Sequence, residues 1–282
     1  MAQNYAYKHF NITFPQQYVA QVEINRAAQL NAFFEAMWLE LAQIFNQLSS
    51  DPAVRAVLIT GAGERAFTAG LDVKAASQGL LSDSSGSGAA DPARKAVHLR
   101  REIGSFQDCV SSIEKCEKPV IVVMHGFSLG LAIDLSSAAD IRFCAKDVKF
   151  AVKEVDIGLA ADVGTLSRLP KVVGNYGWVK EVCLTARVFG AEEALRVGFV
   201  SRVFESKEEA IRGAVELAAL MASKSPVAVQ GTKELLNWSR DHTVQDGLRY
   251  TTIWNSAALQ TSDVSSALLS GIQKRKPTFE KL

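Results

Sequence analysis

Three short apolar runs, spaced along the first half of the chain, constrain its fold more than any other feature. They are AVLIT (56–60), VIVVM (120–124) and IRFCA (141–145). Uninterrupted apolar runs of this length, bounded by turn residues, are typical of buried strands. Helical patterns lie between them, so the order of elements is a repeated strand, turn and helix. The sequence therefore predicts an α/β fold.

The remaining segments extend this prediction in both directions. Residues 18–25 alternate between apolar and polar and predict a strand, whereas apolar residues at helical spacing after Asn31 predict an amphipathic helix. Residues 77–93 are rich in Ser, Gly and Asp and predict a mobile surface loop, either a flap over a substrate or an inert insertion. After Pro226 almost every pattern is helical, with apolar stripes that would serve either the core or contacts between subunits.

Composition excludes several classes of protein. The chain has 282 residues, of which 48% are hydrophobic, enough for a sizeable core. No apolar run approaches the roughly 18 residues of a membrane span, so none is expected. A net charge of +1 and no evident basic stripe argue against a nucleic-acid partner. The four cysteines have no CxxC spacing and form no ligand pattern with the four histidines, which predicts reduced thiols and no metal site.

Three carboxylates stand among apolar and small residues within the single segment 134–162. Asp134 follows the run LGLAI, Glu154 follows FAVK and Asp162 closes GLAA. Where water is scarce the pKa of a carboxyl group rises, which suits proton transfer at neutral pH. Each residue alone has a simpler interpretation, as a helix cap or a solvated side chain.

Two glycine-bearing turns accompany these acids. AFTAGLD (66–72) and HGFSLG (125–130) each follow an apolar, strand-like run. Glycine lets the backbone aim N–H groups at a single oxygen, the arrangement that stabilises a developing oxyanion. The two turns thus predict an oxyanion hole.

These residues and motifs resemble the crotonase, or enoyl-CoA hydratase/isomerase, superfamily almost from end to end. The general marks are the start NR...LNA, the FTAGLD turn, the HG...LG turn and the AADIR strand (138–142). More specifically, KEVDIGLAADVGTLSRLPKVVGN (153–175) resembles the dienoyl-CoA isomerase branch. SKSPVAVQGTK (223–233) and the following SRDHTV agree with that branch.

The resemblance implies a spiral of repeated β-β-α units over residues 1–205, with a C-terminal helical module over 206–282 in the same structural unit. It further implies an isomerase that moves both double bonds of a 3,5-dienoyl-CoA to the 2,4 positions in unsaturated fatty-acid β-oxidation. The partner would be the acyl-CoA thioester, with no cofactor beyond the CoA of the substrate, in a homotrimer or dimer of trimers. The alternatives are an enoyl-CoA hydratase or monoene isomerase, or a catalytically weak acyl-CoA binder.

By family position, Glu154 is the acid/base group near carbon 2 of the acyl chain, Asp162 lies deeper near carbon 6, and Asp134 supports them from the pocket wall. A hydratase would carry Glu where this chain has Asp134, which favours the isomerase. The oxyanion N–H groups would come from Leu71 and Leu131.

Leu131 departs from the family pattern, because relatives usually carry a run of glycines there. A left-handed backbone at Leu131 would cost about 1–2 kcal/mol, and its side chain would narrow the oxyanion hole. CoA would lie across the first turn. The candidate substrate contacts are Arg26, Ala69, Gly70, Leu71, Asp72, Val73, Lys74 and Gly130.

The last residues, Glu280, Lys281 and Leu282, resemble a peroxisomal signal in the final two positions. Together with the link to fatty-acid oxidation, this favours the peroxisomal matrix. A cytoplasmic or mitochondrial location is the alternative.

Overall fold

Two sheets, one of six strands and one of four, form the centre of the molecule in a computed structural model that describes residues 5–74 and 91–282. The larger sheet has the order β1-β2-β3-β5-β7-β10 and the smaller one β4-β6-β8-β9. Their bounds are β1 Phe10–Gln16, β2 Val19–Ile24, β3 Ala56–Gly61, β4 Ala66–Thr68, β5 Val120–Met124, β6 Phe127–Leu129, β7 Ile141–Ala145, β8 Lys149–Ala151, β9 Phe189–Gly190 and β10 Arg202–Phe204.

The chain visits the two sheets in turn, which produces the repeated unit that the resemblance implied. β3, β5 and β7 pair in parallel in the larger sheet, and each is followed after a short turn by β4, β6 or β8, which pair in parallel in the smaller one. A helix, Leu131–Ala138, begins two residues after β6, so a helix follows the second of these strand pairs directly. The prediction of an α/β fold built from β-β-α units is confirmed.

Helices surround the sheets. Their bounds are α1 Glu35–Ser50, α2 Pro92–Lys115, α3 Leu131–Ala138, α4 Thr165–Val172, α5 Tyr176–Thr185, α6 Ala191–Arg196, α7 Lys207–Ala222, α8 Pro226–Asp241, α9 Val244–Ala258 and α10 Ser262–Ile272. Short 3-10 helices occupy Ala27–Gln29 and Glu154–Ile157. The strands predicted at 56–60, 120–124 and 141–145, the strand over 18–25, the helix after Asn31 and the helical region after Pro226 are therefore confirmed.

One helix from the proposed C-terminal module belongs to the packing of the larger sheet. The alanines of α7 face the sheet and are buried against Val19, Leu58 and Ile121. Small side chains let the helix lie close to the strands. The predicted division at residue 205 falls between β10 and α7. Because α7 packs with strands that precede it, this helix belongs to the core of the larger sheet, and the division stays a prediction.

Helices α8, α9 and α10 leave much apolar surface uncovered in the single chain. Leu236, Leu248 and Ile253 are each at least 59% exposed. A buried ion pair nevertheless ties α8 to the core: Lys233 Nζ lies 2.8 Å from Asp140 Oδ2. No helix among the described residues is long and apolar enough to cross a membrane.

The predicted loop at 77–93 lies largely outside the described residues, because residues 75–90 are not among them. Its last part is a helix start and not a loop. Asp91 caps α2 by accepting a hydrogen bond from the backbone N–H of Arg94, and Pro92 is the first helical residue. Both are residues that favour a helix N-terminus.

Candidate active site

The first turn, which follows β4, is held in place by the segment that precedes α1. Phe33 N–H donates to Gly70 O over 2.8 Å, and Asp72 N–H donates to Phe33 O over 2.8 Å. These bonds use the groups on either side of Leu71, so the N–H of Leu71 takes no part in this bridge. The turn thus fixes the backbone of Leu71 and leaves its N–H available to a ligand.

Buried polar side chains from the NR...LNA motif reinforce this turn. Asn31 is fully buried, and its side-chain amide donates to Ala62 O and Ala66 O, each over 2.9 Å. Thr68 Oγ1 donates to Asn31 O over 2.7 Å and accepts from Gly70 N–H over 3.1 Å. The motif therefore builds the support of the first turn.

Arg26 completes that support. Its Nη1 lies 2.8 Å from Asp72 Oδ2 and donates to Ala32 O over 2.8 Å, while the guanidinium stacks on the Phe34 ring. Sequence reasoning offered Arg26 and Lys74 as contacts for CoA phosphate or ribose. The structure places Arg26 in an ion pair within the turn and Lys74 in the exposed region just after it. Their contact with CoA stays a prediction.

The second turn converges on the first. The turn ends at Gly130, which has φ +53°, and α3 begins at Leu131. As the first N–H group of a helix, that of Leu131 has no acceptor within the helix. A Cβ added to Gly70 would lie 3.0 Å from Leu129 O and 3.7 Å from the Leu131 nitrogen. The predicted oxyanion donors, Leu71 and Leu131, therefore flank one point of close approach.

The expectation of a strained backbone at Leu131 is wrong. Gly130 takes the positive φ, whereas Leu131 lies in the first turn of α3 and is not among the residues with positive φ. Its side chain is 5% exposed and packs in the hydrophobic core. The glycine that this turn needs is one residue earlier, so a leucine at 131 leaves the backbone unstrained.

Glu154 lies directly beside the second turn, at the start of a 3-10 helix. A Cβ on Gly130 would come within 3.3 Å of Glu154 Oε1. The other oxygen, Oε2, is buried and has no hydrogen-bond partner in the described part of the chain. Burial is the largest cause that raises the pKa of Glu154, and the charge of Asp162 raises it further, against the effect of the residue's own backbone N–H. The result is a carboxylate with raised proton affinity and a free oxygen.

Asp134 is the most deeply buried of the three acids, at 2% exposure on α3. Its Oδ1 accepts two hydrogen bonds from Thr165, from N–H over 2.6 Å and from Oγ1 over 2.7 Å. Burial, followed by the charge of Glu154, raises the pKa of Asp134 to about 7, although Thr165 and Arg168 oppose the rise. The start of α4 thus stabilises a carboxylate in an otherwise unfavourable place.

Asp162 is exposed in the single chain, so the prediction that it lies where water is scarce is wrong. The residues before it cross the surface after the 3-10 helix, and Leu159 among them is 38% exposed. Partial burial of the carboxyl group still raises the pKa of Asp162. The charge of Asp162 raises the pKa of Glu154, and the charge of Glu154 raises that of Asp134, so Glu154 is within electrostatic range of both other acids.

Sequence reasoning missed three polar residues around this cluster. They are Thr165, Arg168 and Gln107; the Gln107 side-chain amide donates to Asp162 O over 2.6 Å. Thr165 follows Gly164 at a helix start, a place where N–H groups bind anions, and that signal could have identified it.

A comparison with protein families matches residues 15–281 to enoyl-CoA hydratase/isomerase. The chain belongs to this family. Among its relatives, the mitochondrial Delta(3,5)-Delta(2,4)-dienoyl-CoA isomerase of Mus musculus is 45% identical over 98% of this chain and 84% of its own length. The peroxisomal Delta(3,5)-Delta(2,4)-dienoyl-CoA isomerase of Arabidopsis thaliana is 42% identical over 92% of this chain and 91% of its own.

Solved structures of this family share the fold. An enoyl-CoA hydratase from Bacillus anthracis superposes with a TM-score of 0.85 at 27% identity, covering 97% of this chain and 99% of the other. The family and the architecture inferred from the motifs are thereby confirmed.

Proposed function

We propose that this chain is a Δ3,5-Δ2,4-dienoyl-CoA isomerase. One observation carries the proposal: Glu154 lies beside Gly130, where the two backbone turns converge, and Asp134 and Asp162 are each within electrostatic range of it. The 42–45% identity to proteins of that name over nearly the whole chain supports it. The reaction moves a proton from carbon 2 to carbon 6 and shifts two double bonds, so substrate and product have the same composition. It needs no cofactor beyond the CoA of the substrate.

The first step removes the proton at carbon 2. The N–H groups of Leu71 and Leu131 donate to the thioester oxygen and stabilise the negative charge that develops there. Glu154 accepts the proton, because its unpartnered Oε2 and its position beside Gly130 place a base next to the oxyanion hole. The product of this step is a dienolate whose charge extends from the oxygen to carbon 6.

The second step delivers a proton to carbon 6. Asp162 is the donor in this proposal, since it is the acid whose charge is coupled to Glu154 and which lies on the following segment. The charge of Asp162 raises the pKa of Glu154, which favours one proton on the pair over two negative charges. The mechanism requires Glu154 ionised and Asp162 protonated at the start of the reaction, because only then can one accept a proton while the other donates.

Asp134 sets the environment of Glu154 and does not exchange protons with the substrate in this proposal. Its charge lies close to Glu154 and its oxygen is already occupied by Thr165. A nearby negative charge makes Glu154 a stronger base. This assigns a different role to each of the three acids.

An ultraviolet assay with 3,5-dienoyl-CoA tests the proposal, because the conjugated 2,4-dienoyl product absorbs differently from the substrate. Formation of that product by the purified chain is the expected result. Loss of the absorbance of a 2-enoyl-CoA, with no action on the 3,5-diene, would instead establish a hydratase. Binding of acyl-CoA without either reaction would establish a silent binder.

The uncovered apolar surface of the C-terminal helices supports an oligomer, and we propose a homotrimer or a dimer of trimers. Sedimentation as a monomer of 30.5 kDa at micromolar concentration would contradict this. A peroxisomal location is proposed with it, supported by the Arabidopsis relative, whereas the mouse relative is mitochondrial. Immunofluorescence of the untagged chain, with a marker protein for each organelle, distinguishes the two compartments.

A further inference from the structure

Arg168, one turn into α4, lies beside the cluster of acids without being one of the groups assigned above. Its Nη1 occupies the space against Gly164, where a Cβ would overlap it, and the same Cβ would lie 3.8 Å from Asp134 Oδ1. Gly164 also has φ +148°, a backbone that favours glycine. The absence of a side chain at 164 thus allows the guanidinium to approach the carboxylate of Asp134.

Two residues of α2 fix the direction of that guanidinium. Arg168 Nε and Nη2 donate to Glu114 Oε2 over 3.1 and 2.9 Å, and Nη2 also donates to Ser111 Oγ over 2.8 Å. The Arg168 side chain is 12% exposed and that of Glu114 is 19% exposed. An ion pair with this degree of burial and this number of bonds is held much more firmly than one at the surface.

A second arginine reaches the same glutamate from the C-terminal helices. Arg240 of α8 donates from Nη1 to Glu114 Oε1 over 2.5 Å. Glu114 therefore lies between two guanidinium groups, one of which faces Asp134. Glu114 neutralises part of the charge of Arg168, so the positive charge that Asp134 experiences depends on both residues.

We propose that Arg168 is a positioning residue for Asp134, oriented by Glu114 and Ser111, and that it keeps Asp134 ionised while supporting the turn from which Thr165 donates. Among the other charged or titratable groups near Asp134, Glu154 on the 3-10 helix raises its pKa, and the charge of Asp134 in turn adds to burial in raising the pKa of the Cys183 thiol on α5. Arg168 is the cation among these neighbours. This proposal rests on the role given above to Asp134 in the isomerase.

The proposal predicts opposite effects for the two members of the ion pair. Arg168→Gln removes the positive charge, so a higher pH is needed to ionise Asp134. Glu114→Gln keeps the shape of the partner but removes its neutralising charge, so Asp134 ionises at a lower pH. A purely structural role predicts disturbances of one sign, or none that depends on pH.

The test that needs no substrate is a double-mutant cycle in stability, followed against pH. The difference in urea unfolding between the full chain and its Asp134→Asn variant reports the ionisation of Asp134. We expect the midpoint of this difference to move up by about one pH unit in Arg168→Gln, and down in Glu114→Gln. Arg168→Lys keeps the charge, so its midpoint should lie close to that of the unmodified chain.

The kinetic arm measures the pH dependence of kcat for 3,5-dienoyl-CoA in the same variants. The acid limb of the pH profile of kcat should move in the same directions as the stability midpoint, to higher pH in Arg168→Gln and to lower pH in Glu114→Gln. At a pH below the limb, Arg168→Gln should lose about tenfold in kcat if its limb lies one pH unit higher. Arg187→Gln is the matched control, since Arg187 also pairs with two carboxylates, Glu181 and Glu193. It should leave the limb and the midpoint unchanged.

The outcomes separate this proposal from the proposed function. Opposite midpoint shifts in a chain without isomerase activity would support the role of Arg168 and overturn only the isomerase. Equal midpoints in Arg168→Gln, Glu114→Gln and the control, with the chain folded and active, would overturn the role of Arg168. If Arg168→Gln does not fold, Glu114→Gln and Arg168→Lys still test the proposal. A midpoint in Glu114→Gln that equals that of the unmodified chain would contradict it.

Discussion

Thr165 donates two hydrogen bonds to a single oxygen of Asp134, one from its backbone and one from its side chain. Only the second can be removed by substitution. Thr165→Val should raise the pKa of Asp134 further, because the hydroxyl group favours the ionised form. The acid limb of kcat should then move to higher pH by about one unit. Thr165→Ser keeps the hydroxyl and should leave the limb in place; a shift equal to that of the valine variant would contradict this explanation.

The division of labour between Glu154 and Asp162 predicts different partial reactions. Either Glu154→Gln or Asp162→Asn should abolish the full shift, with losses of about a hundred- to ten-thousandfold. In deuterated water, Asp162→Asn should still exchange the proton at carbon 2, whereas Glu154→Gln should not. Mass spectrometry of recovered acyl-CoA measures this exchange, with circular dichroism as the check of folding. Isomerisation near the unmodified rate by folded Asp162→Asn would remove that residue from the mechanism.

Replacement of Gly70 should damage the oxyanion hole. Gly70 has φ +95°, and a Cβ there would lie 3.0 Å from Leu129 O, so Gly70→Ala must shift the two turns apart. We expect kcat to fall by about a hundred- to a thousandfold, the usual cost of losing one oxyanion donor. Gly104→Ala is the control: within the described residues nothing lies within 4 Å of a Cβ there. Because Gly104 is inside α2, alanine should stabilise the helix by about 1 kcal/mol and leave kcat unchanged.

Leu131 should affect stability and not turnover. Its side chain is buried in the core, and Leu131→Ala should cost about 2–5 kcal/mol of unfolding free energy. Leu131→Gly should cost still more and should give no gain in kcat, because Gly130 already supplies the positive φ. Urea denaturation and steady-state kinetics on both variants measure these effects. A faster Leu131→Gly enzyme would show that the side chain obstructs the thioester.

Asp134 should reduce stability at high pH. Burial raises its pKa from 3.8 to about 7, so between these values the folded state binds a proton that the unfolded state has released. Stability therefore falls as pH rises through this window, by up to about 4 kcal/mol. Asp134→Asn, whose amide oxygen can still accept from Thr165, should be more stable than the unmodified chain at pH above about 7. Equal stability at pH 5 and pH 8 in both chains would contradict the assignment.

Much of the fold followed from local patterns, because buried strands such as 120–124 are apolar throughout and need no partner to be recognised. The three acids were singled out by their apolar settings, whereas the role of each came from the resemblance, because the placement of Asp134 on α3 relative to Asp162 before α4 depends on tertiary packing. The exposure of Asp162 was missed because a small apolar run predicts burial only if another surface covers it. The ion pairs of Arg26 with Asp72 and of Arg168 with Glu114 were not predicted, because the partners lie 46 and 54 residues apart in the sequence.

The unpartnered oxygen of Glu154 has a consequence for inhibitor design. A buried acceptor without a donor is costly, so a ligand that brings an N–H or O–H group to Oε2 recovers free energy that an acyl chain cannot. A CoA thioester analogue with an amine or hydroxyl at carbon 2 should therefore bind more tightly than its unsubstituted counterpart. The tighter binding of such a compound would come from a hydrogen bond to the lone pairs of one oxygen. The gain in affinity would disappear wherever that carboxylate is replaced by an apolar side chain.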